Sequence, residues 1–327
     1  MKKILIIRFS SIGDIVLTTP VIRCLKIQVP DAEIHFLTKK QNHTLLTANP
    51  FIHKIWLYDK NFDDLLPLLQ AEKFDFIVDL HKNLRTFYVR TRLWRPSGTF
   101  SKLNLQKWMI VNLHLDRLSR IHIVDRYFKA VRSLGVKNDH KGLDYFIPSG
   151  DEVALSSLPG PFQNGFIAIV IGGKHTTKIF PEDMVTEVCR KMKRPVILLG
   201  DKNDTERGKR IMQKVGPTVF NSCGRFSINQ SASLIRQSEK VLTNDTGLMH
   251  IAAAFGKPIL SVWGNTIPEF GMYPYLEGKE KADSAVFEVR GLDCRPCSKI
   301  GFDKCPKGHF RCMKDQDTEG MIQILNS

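Results

Sequence analysis

Asp14 is the first residue in the chain whose type and position suggest chemistry. It ends a run of small and polar residues, 10–14, that directly follows the apolar stretch 4–7. This pattern is typical of a buried strand that opens into a helix, which is where open α/β sheets bind ligands. Helix-terminal N–H groups attract anions there, and a carboxylate among them either caps the helix or acts as a base. Both interpretations of Asp14 stay open at this point.

Residues 241–250 form a second junction between a strand and a helix. Asp245 and Thr246 occupy the N-cap position, a role that both residue types commonly have. Gly247 in the first turn costs about 1 kcal/mol relative to alanine, which indicates that another molecule, such as a diphosphate, approaches the backbone. His250 lies three residues further on, and it either packs in the core or donates a hydrogen bond to a phosphate or a sugar.

The run 171–178, Ile-Gly-Gly-Lys-His-Thr-Thr-Lys, is a third junction of this kind. It combines a flexible backbone with the hydroxyls of Thr176 and Thr177 and with two ammonium groups, one of them on Lys178. Such a loop can neutralise phosphates without a metal ion. Its spacing is not that of a P-loop.

The elements that must position these loops alternate between strand and helix. Nine short apolar or β-branched runs predict strands at 3–8, 33–37, 54–57, 74–80, 166–171, 195–199, 218–220, 240–243 and 258–262. Amphipathic periodicity predicts helices at 103–115 and 121–134, the second ending at Gly135. The stretch 148–165 is rich in Pro and Gly, which indicates a linker. We therefore predict two parallel α/β domains, 1–158 and 159–327, that face each other across a cleft.

Length and charge agree with this organisation and restrict the partners. A chain of 327 residues suits two domains, and its formal net charge is +15. Between residues 81 and 141 there are 14 Lys and Arg but three acidic residues, which favours an anionic partner: nucleic acid, a membrane surface or a phosphorylated substrate. No apolar run approaches the roughly 20 residues of a membrane span, and the N-terminal run is too short for a signal peptide. We expect a cytoplasmic protein.

Three motifs together resemble glycosyltransferase family 9, the ADP-heptose:lipopolysaccharide heptosyltransferases, and most closely their type II branch. They are residues 8–14 (Arg-Phe-Ser-Ser-Ile-Gly-Asp), 178–181 (Lys-Ile-Phe-Pro) and 244–250 (Asn-Asp-Thr-Gly-Leu-Met-His). The resemblance spans almost the whole chain. It implies a GT-B fold, with two Rossmann-like doubly wound parallel-sheet domains. The acceptor would bind to the N-terminal domain, and the nucleotide sugar mainly to the C-terminal one.

Carried onto this sequence, the resemblance implies a role for individual residues. Asp14 would be the general base and Lys178 would lie beside the phosphates of ADP-heptose. The residues that would bind the donor are Ser11, Gly13, Thr176, Thr177, Asp245, Thr246, Gly247 and His250. Asp201 and Asp204 are candidates for the adenosine ribose. Direct displacement at the anomeric carbon implies inversion, and no metal cofactor is required.

The cluster of positive charge has a role in the same interpretation. The acidic lipopolysaccharide core would be bound by the residues that follow the predicted strand 74–80, which are His81, Lys82, Arg85, Arg90 and Arg92. Arg120, His122 and Arg126 would join them. The same residues could hold the protein at the anionic inner leaflet, as an enzyme peripheral to the inner membrane. Two alternatives stay open: a relative that uses another nucleotide sugar, and a nucleic-acid-binding protein. The second would not explain three strand-end loops, so we expect no nucleic-acid partner.

A cysteine-rich segment near the C-terminus has no role in this chemistry. Cys294, Cys297, Cys305 and Cys312 lie within 19 positions, with His309 among them. The first two form a CxxC half-site, so a structural zinc ion is one interpretation. Reduced packing thiols or a redox-sensitive pair are the others.

Overall fold

The chain forms two compact units. The computed structural model describes residues 2–327, and it describes the side chains of all of these except residues 279 and 280. The first unit contains the residues up to Lys102 together with Ile121–Pro148. The second contains Leu103–Arg120 together with Ser149–Ser327. No helix in the described part is long and apolar enough to cross a membrane.

This division differs from the predicted domains 1–158 and 159–327 in two segments. Residues 149–158 belong to the second unit, where the Val153 N–H donates to Ser233 Oγ at 3.0 Å. Residues 103–120 belong there too, because Ile110 and Leu118 bury their side chains against Ile267 and Phe270. Local composition located the linker, but these long-range contacts decide to which unit each flanking segment belongs.

All strands pair in parallel with their neighbours. In chain order they are β1 (Lys2–Ile7), β2 (Ala32–Lys39), β3 (Lys54–Tyr58), β4 (Phe76–Asp79), β5 (Ser97–Thr99), β6 (Ile167–Val170), β7 (Val196–Leu199), β8 (Val219–Asn221), β9 (Val241–Asn244), β10 (Ile259–Trp263) and β11 (Ala285–Glu288). The central strands are continuous apolar runs because helices cover both faces of such a sheet.

The order of the strands creates one switch point in each sheet. The first sheet has the order β3-β2-β1-β4-β5, and the second has the order β11-β10-β9-β6-β7-β8. In each case the chain builds outward on one side of its first strand and then returns to the other side. The crevices are therefore at the carboxyl ends of β1 and β4 and of β6 and β9, where doubly wound sheets bind ligands.

Helices connect these strands. They are α1 (Ile12–Val16), α2 (Thr19–Gln28), α3 (Leu65–Ala71), α4 (Leu84–Leu93), α5 (Asn104–Leu113), α6 (Ile123–Tyr127), α7 (Glu182–Arg190), α8 (Thr205–Val215), α9 (Ile228–Gln237), α10 (Gly247–Ala254), α11 (Gly278–Ala282), α12 (Arg311–Lys314) and α13 (Thr318–Asn326).

The nine predicted strands are confirmed, with small shifts at their ends. The sequence missed β5 and β11, the two edge strands that follow β4 and β10. Gly98 in β5 suggests a turn in the sequence, but a Cβ atom at this position would lie 1.8 Å from the carbonyl oxygen of Ala130. The predicted helix 121–134 begins as α6 and continues as a 3₁₀ helix to Leu134, and Gly135 then ends it with a φ of 75°.

A buried arginine fastens the end of the first unit to α2. The side chain of Arg23 is 6% exposed, and it lies 2.8 Å from Asp139 and also pairs with Asp144. A further N–H donates to the carbonyl oxygen of Gly142 at 3.0 Å. The arginine holds the pKa of Asp139 down at about 2.

We expect Arg23→Met to destabilise the first unit by about 3–5 kcal/mol, because it leaves two carboxylates without their cation. Urea unfolding followed by fluorescence would measure this change. The matched control is Arg132→Met, which removes an exposed arginine from the same unit and should change stability by less than about 0.5 kcal/mol. Equal stability of the two variants would show that the Arg23 cluster contributes little.

Candidate functional site

Asp14 lies after β1, in the single turn of α1. Its Oδ1 atom is 2.6 Å from Nη2 of Arg8, and its Oδ2 atom accepts hydrogen bonds from the Ser11 N–H at 3.0 Å and the Ser11 hydroxyl at 2.8 Å. These contacts include the return bond of a capping box. The Asp14 side chain nevertheless stays 20% exposed. The residue therefore caps its helix and also presents a carboxylate to solvent.

Opposing effects set the ionisation of Asp14. Burial disfavours the charged form, but the Arg8 guanidinium and the hydrogen bonds from Ser11 outweigh it, so the pKa of Asp14 lies below its ordinary value. The carboxylate is therefore ionised at neutral pH. Burial and the charge of Arg8 lower the pKa of nearby His81 to about 3, so this imidazole is neutral.

Arg8 joins the two strands on either side of the first switch point. Its side chain is 9% exposed. Nε donates to the carbonyl oxygen of Ser10 at 2.9 Å, and Nη1 donates to that of Leu80, which follows β4. The sequence motif contained Arg8 without indicating this role. It orients Asp14 and ties the loop after β1 to the loop after β4.

The predicted acceptor cations of the first unit fall into two groups. Lys82 donates to a main-chain carbonyl oxygen at 2.9 Å, and Arg90 donates to the Ser97 hydroxyl at 2.8 Å. Arg85 and Arg92 are exposed on α4. The second group is available to a ligand as it stands, whereas Lys82 and Arg90 also hold the local structure.

Arg120, also predicted to bind the acceptor, belongs to the second unit, whereas Lys82, Arg85, Arg90 and Arg92 belong to the first. It pairs with Asp116 and lies 3.9 Å from Glu269. It also lines a cavity of about 470 Å³. This volume is within the range of small-molecule sites.

The second unit brings three strand-end loops together around one carboxylate oxygen. Nζ of Lys178, after β6, lies 2.5 Å from Oδ2 of Asp245, after β9. The hydroxyl of Thr266, after β10, donates to the same oxygen at 3.1 Å. The sequence did not indicate Thr266, although it follows a predicted strand at the same edge. Asp245 therefore does not act as the N-cap, and its carboxylate orients the lysine.

The side-chain amide of Asn244, at the end of β9, holds the loop that carries Lys178 in place through hydrogen bonds. The Asn244 side chain is fully buried, and its Oδ1 atom accepts a hydrogen bond from the Phe180 N–H at 3.0 Å. Its Nδ2 atom donates to the carbonyl oxygen of Gly172 at 3.1 Å. One side chain thus connects the end of β9 to both ends of the loop that carries Lys178.

The first turn of α10 has free hydrogen-bonding capacity. Thr246 is its N-cap, but the Thr246 side chain makes no capping bond, and its buried hydroxyl finds no partner among the described residues. Gly247 is the first residue of the helix and is half-buried. His250 is buried on the next turn. Exposed N–H groups at a helix N-terminus attract anions.

The remaining predicted donor residues lie in different surroundings. Thr176 is exposed, whereas Thr177 is buried and exchanges two hydrogen bonds with the backbone of Phe302, at 2.8 and 3.0 Å. The Thr177 hydroxyl therefore already donates one hydrogen bond and accepts one within the fold. Ser11 and Gly13 lie beside Asp14 in the first unit.

The two aspartates after β7 shape the start of α8. Oδ2 of Asp204 accepts a hydrogen bond from the Asp201 N–H at 3.0 Å, and its Oδ1 atom accepts one from Arg207 at 2.9 Å. Asp201 is exposed. Both residues lie at the carboxyl edge of the second sheet, as a role toward a ribose requires.

The cysteine-rich segment does not present a closed set of metal ligands. Sγ of Cys294 lies 3.7 Å from Nε2 of His309. Nδ1 of His309 accepts a hydrogen bond from the Arg311 N–H at 3.0 Å, so the neutral ring carries its proton on Nε2 and offers no lone pair there. Among the described residues, only Glu33, His35 and His53 place three ligand atoms within 4.8 Å of one another.

In the cluster of Glu33, His35 and His53, both ring nitrogens of His35 already make hydrogen bonds within the fold. Nδ1 of His35 accepts a hydrogen bond from Nε1 of Trp56 at 2.9 Å, and Nε2 of His35 lies 2.7 Å from Glu33. An indole N–H only donates, so the proton of the neutral His35 ring is on Nε2 and points at the carboxylate. A metal at this position would have to displace both bonds.

Two parallel α/β sheets of this topology are those of the GT-B fold. The structure of ADP-heptose lipopolysaccharide heptosyltransferase II from Escherichia coli is similar with a TM-score of 0.73 and 19% identity, covering 100% of this chain and 98% of that one. A glycosyl transferase family 9 structure from Veillonella parvula gives 0.69 and 21%, covering 84% and 83%. In sequence, lipopolysaccharide heptosyltransferase 1 of Campylobacter coli is 25% identical over 291 residues, which is 81% of this chain and 84% of the relative.

The family model described as glycosyltransferase family 9 (heptosyltransferase) matches residues 64–287. This chain belongs to that family and is a glycosyltransferase.

We expect Thr266→Val to lower kcat/KM for the nucleotide sugar about 10-fold, because Asp245 loses a hydrogen bond to its charged oxygen and holds Lys178 less firmly. The value of kcat at saturating donor should change less. Steady-state kinetics of nucleotide release would measure both. Thr266→Ser keeps the hydroxyl and should stay within about twofold of wild type. Equal losses in the two variants would assign Thr266 to packing only.

Proposed function

We propose that this enzyme transfers a heptose from ADP-heptose to the inner core of lipopolysaccharide, onto a Kdo or heptose residue attached to lipid A, with inversion at the anomeric carbon. One observation carries the donor half of this proposal. Lys178, the Thr246 hydroxyl, which has no partner among the described residues, and the N-terminus of α10 lie together at the switch point of the second sheet. The Campylobacter coli and Escherichia coli relatives, both named as lipopolysaccharide heptosyltransferases, support the choice of sugar.

The donor would bind through its diphosphate. Backbone N–H groups at Thr246 and Gly247 and the dipole of α10 face the phosphate oxygens, and Lys178 adds a full positive charge. In the free chain Asp245 pairs with this lysine and keeps it ordered. When the bond between the anomeric carbon and the diphosphate breaks, the electron pair leaves with ADP. The same groups then stabilise the charge that develops, so the reaction needs no metal cofactor.

Asp14 would accept the proton of the attacking hydroxyl. The acceptor oxygen forms the new glycosidic bond as ADP departs from the opposite face, which inverts the configuration. A carboxylate with a lowered pKa is a weak base, but bond formation to an oxocarbenium-like carbon makes the hydroxyl strongly acidic. The contacts with Arg8 and Ser11 leave Asp14 partly exposed and fixed in direction.

The acceptor would be held by the exposed cations of the first unit. Arg85 and Arg92 are available on α4, and Lys82 has further N–H groups besides the one donated to the main chain. The inner core is rich in carboxylates and phosphates. Because its lipid A is anchored in a bilayer, we propose that the enzyme works at the inner leaflet of the inner membrane, on its cytoplasmic side.

The donor is tested by incubating the enzyme with heptose-deficient lipopolysaccharide and measuring nucleotide release. We expect ADP release from ADP-heptose and a product heavier by one heptose. No release from ADP-heptose, together with turnover of a UDP- or GDP-sugar, would favour a different donor within the family.

The role of Asp14 is tested by Asp14→Asn, which keeps the shape and removes the base. We expect transfer to fall by about 10²- to 10⁴-fold at saturating substrates, with unfolding little changed. The control is Asp63→Asn, which makes the same substitution at an exposed aspartate of the first unit, and it should retain activity within about twofold. Near-normal turnover by Asp14→Asn would show that Asp14 only caps its helix and is not the base.

A structural zinc ion held by Cys294, Cys297, Cys305 and Cys312 remains a separate proposal, because the thiols would have to move together to bind it. Metal analysis of protein purified without chelators checks it. About one zinc per chain, lost in Cys294→Ser, is expected of such a site. No bound metal, with all seven thiols of the unfolded chain titratable, would contradict it.

A further inference from the structure

The outer face of α4 carries large apolar side chains that the fold does not cover. Leu84 is 86% exposed, Phe87 60% and Trp94, which ends the helix, 87%. Leu84 and Phe87 are three residues apart and so share one side of the helix, and Phe87 and Trp94 line the same cavity. The opposite side packs into the sheet through Thr86, Val89 and Leu93. An exposed stripe of this size on a folded unit indicates an interaction surface.

Positive charge accompanies this stripe. Arg85, Arg92 and Arg95 are all exposed on or directly after α4, and residues 80–115 contain no acidic side chain. The guanidinium of Arg92 lies 5.2 Å from the ring centre of Tyr88, which is itself 38% exposed. The surface therefore combines Trp, Phe and Leu with arginines, and no acidic residue within it balances their charge.

A cavity opens beside the same stripe. Its volume is about 390 Å³, and its lining includes Phe87, Trp94 and Pro96 with Arg95. Apolar side chains thus form much of its wall, and it offers a guanidinium. This combination fits a molecule that has an apolar body and an anionic head.

We propose that the outer face of α4, formed by Leu84, Phe87, Trp94 and the arginines Arg85, Arg92 and Arg95, docks onto the anionic surface of a lipid bilayer. Trp and Phe insert at the level of the lipid headgroups, and arginines bind the lipid phosphates. A second copy of the chain fits less well, because a symmetric pair would place the arginines against one another. The inference rests on the proposed function for its biological setting, since only a lipid-anchored acceptor gives this docking a purpose.

Co-sedimentation of the full-length enzyme with vesicles tests the surface without any substrate. We expect binding to vesicles of phosphatidylglycerol and phosphatidylethanolamine, and much weaker binding to phosphatidylcholine alone. The double variant Phe87→Ser/Trp94→Ser should lose at least about 10-fold in affinity, and Arg95→Gln about fivefold. The matched control is Ile27→Ser, an equally exposed apolar residue on α2, which should bind as wild type does.

Three results would contradict the proposed docking surface. The wild-type enzyme does not bind anionic vesicles, the double variant binds them as tightly as wild type, or light scattering shows that wild type is a dimer and the double variant a monomer. Circular dichroism confirms that the variants fold. Transfer to a water-soluble, delipidated core fragment separates this inference from the proposed function. The double variant should keep that activity, and a wild-type enzyme that binds vesicles but transfers no heptose would refute the function alone.

Discussion

Parallel strand pairing around a switch point is the constraint on which both candidate sites depend. In the second unit it brings the ends of β6, β9 and β10 to one edge, and Oδ2 of Asp245 then contacts Lys178 and Thr266 from two different loops. The buried amide of Asn244 prevents these loops from separating. A lysine held in this way is oriented before any ligand arrives. Its positive charge therefore needs little reorganisation when negative charge develops nearby.

In the first unit the charged group that the fold holds in place is a carboxylate, that of Asp14, and not a lysine. A carboxylate buried alone would take up a proton, but Arg8 keeps Asp14 ionised and ties it to the end of β4. The helix cap and the candidate base are therefore the same group. The two interpretations of Asp14 do not exclude each other, because the capping bonds fix the direction of a carboxylate that stays partly exposed.

Much of the fold could be predicted from the sequence, because buried parallel strands are apolar runs separated by helices. The strand-to-helix junctions at Asp14, Lys178 and Asp245 were therefore found in the right places. The assignment of residues 103–120 to the second unit could not be predicted, since it depends on packing against Ile267 and Phe270. Thr266, Asn244 and the partners of Thr177 were missed for the same reason. Residue type shows that a hydroxyl or an amide can bond, but only the tertiary structure shows to which atom.

The stereochemistry of the product tests the central claim most directly, because one carboxylate base and a direct displacement permit a single outcome. NMR of the transferred heptose would report the configuration of its anomeric carbon relative to that in the sugar nucleotide. A single displacement with Asp14 as the base predicts inversion. Retention would require a covalent intermediate or another route through the anomeric centre, and would contradict Asp14 as the base of a single displacement.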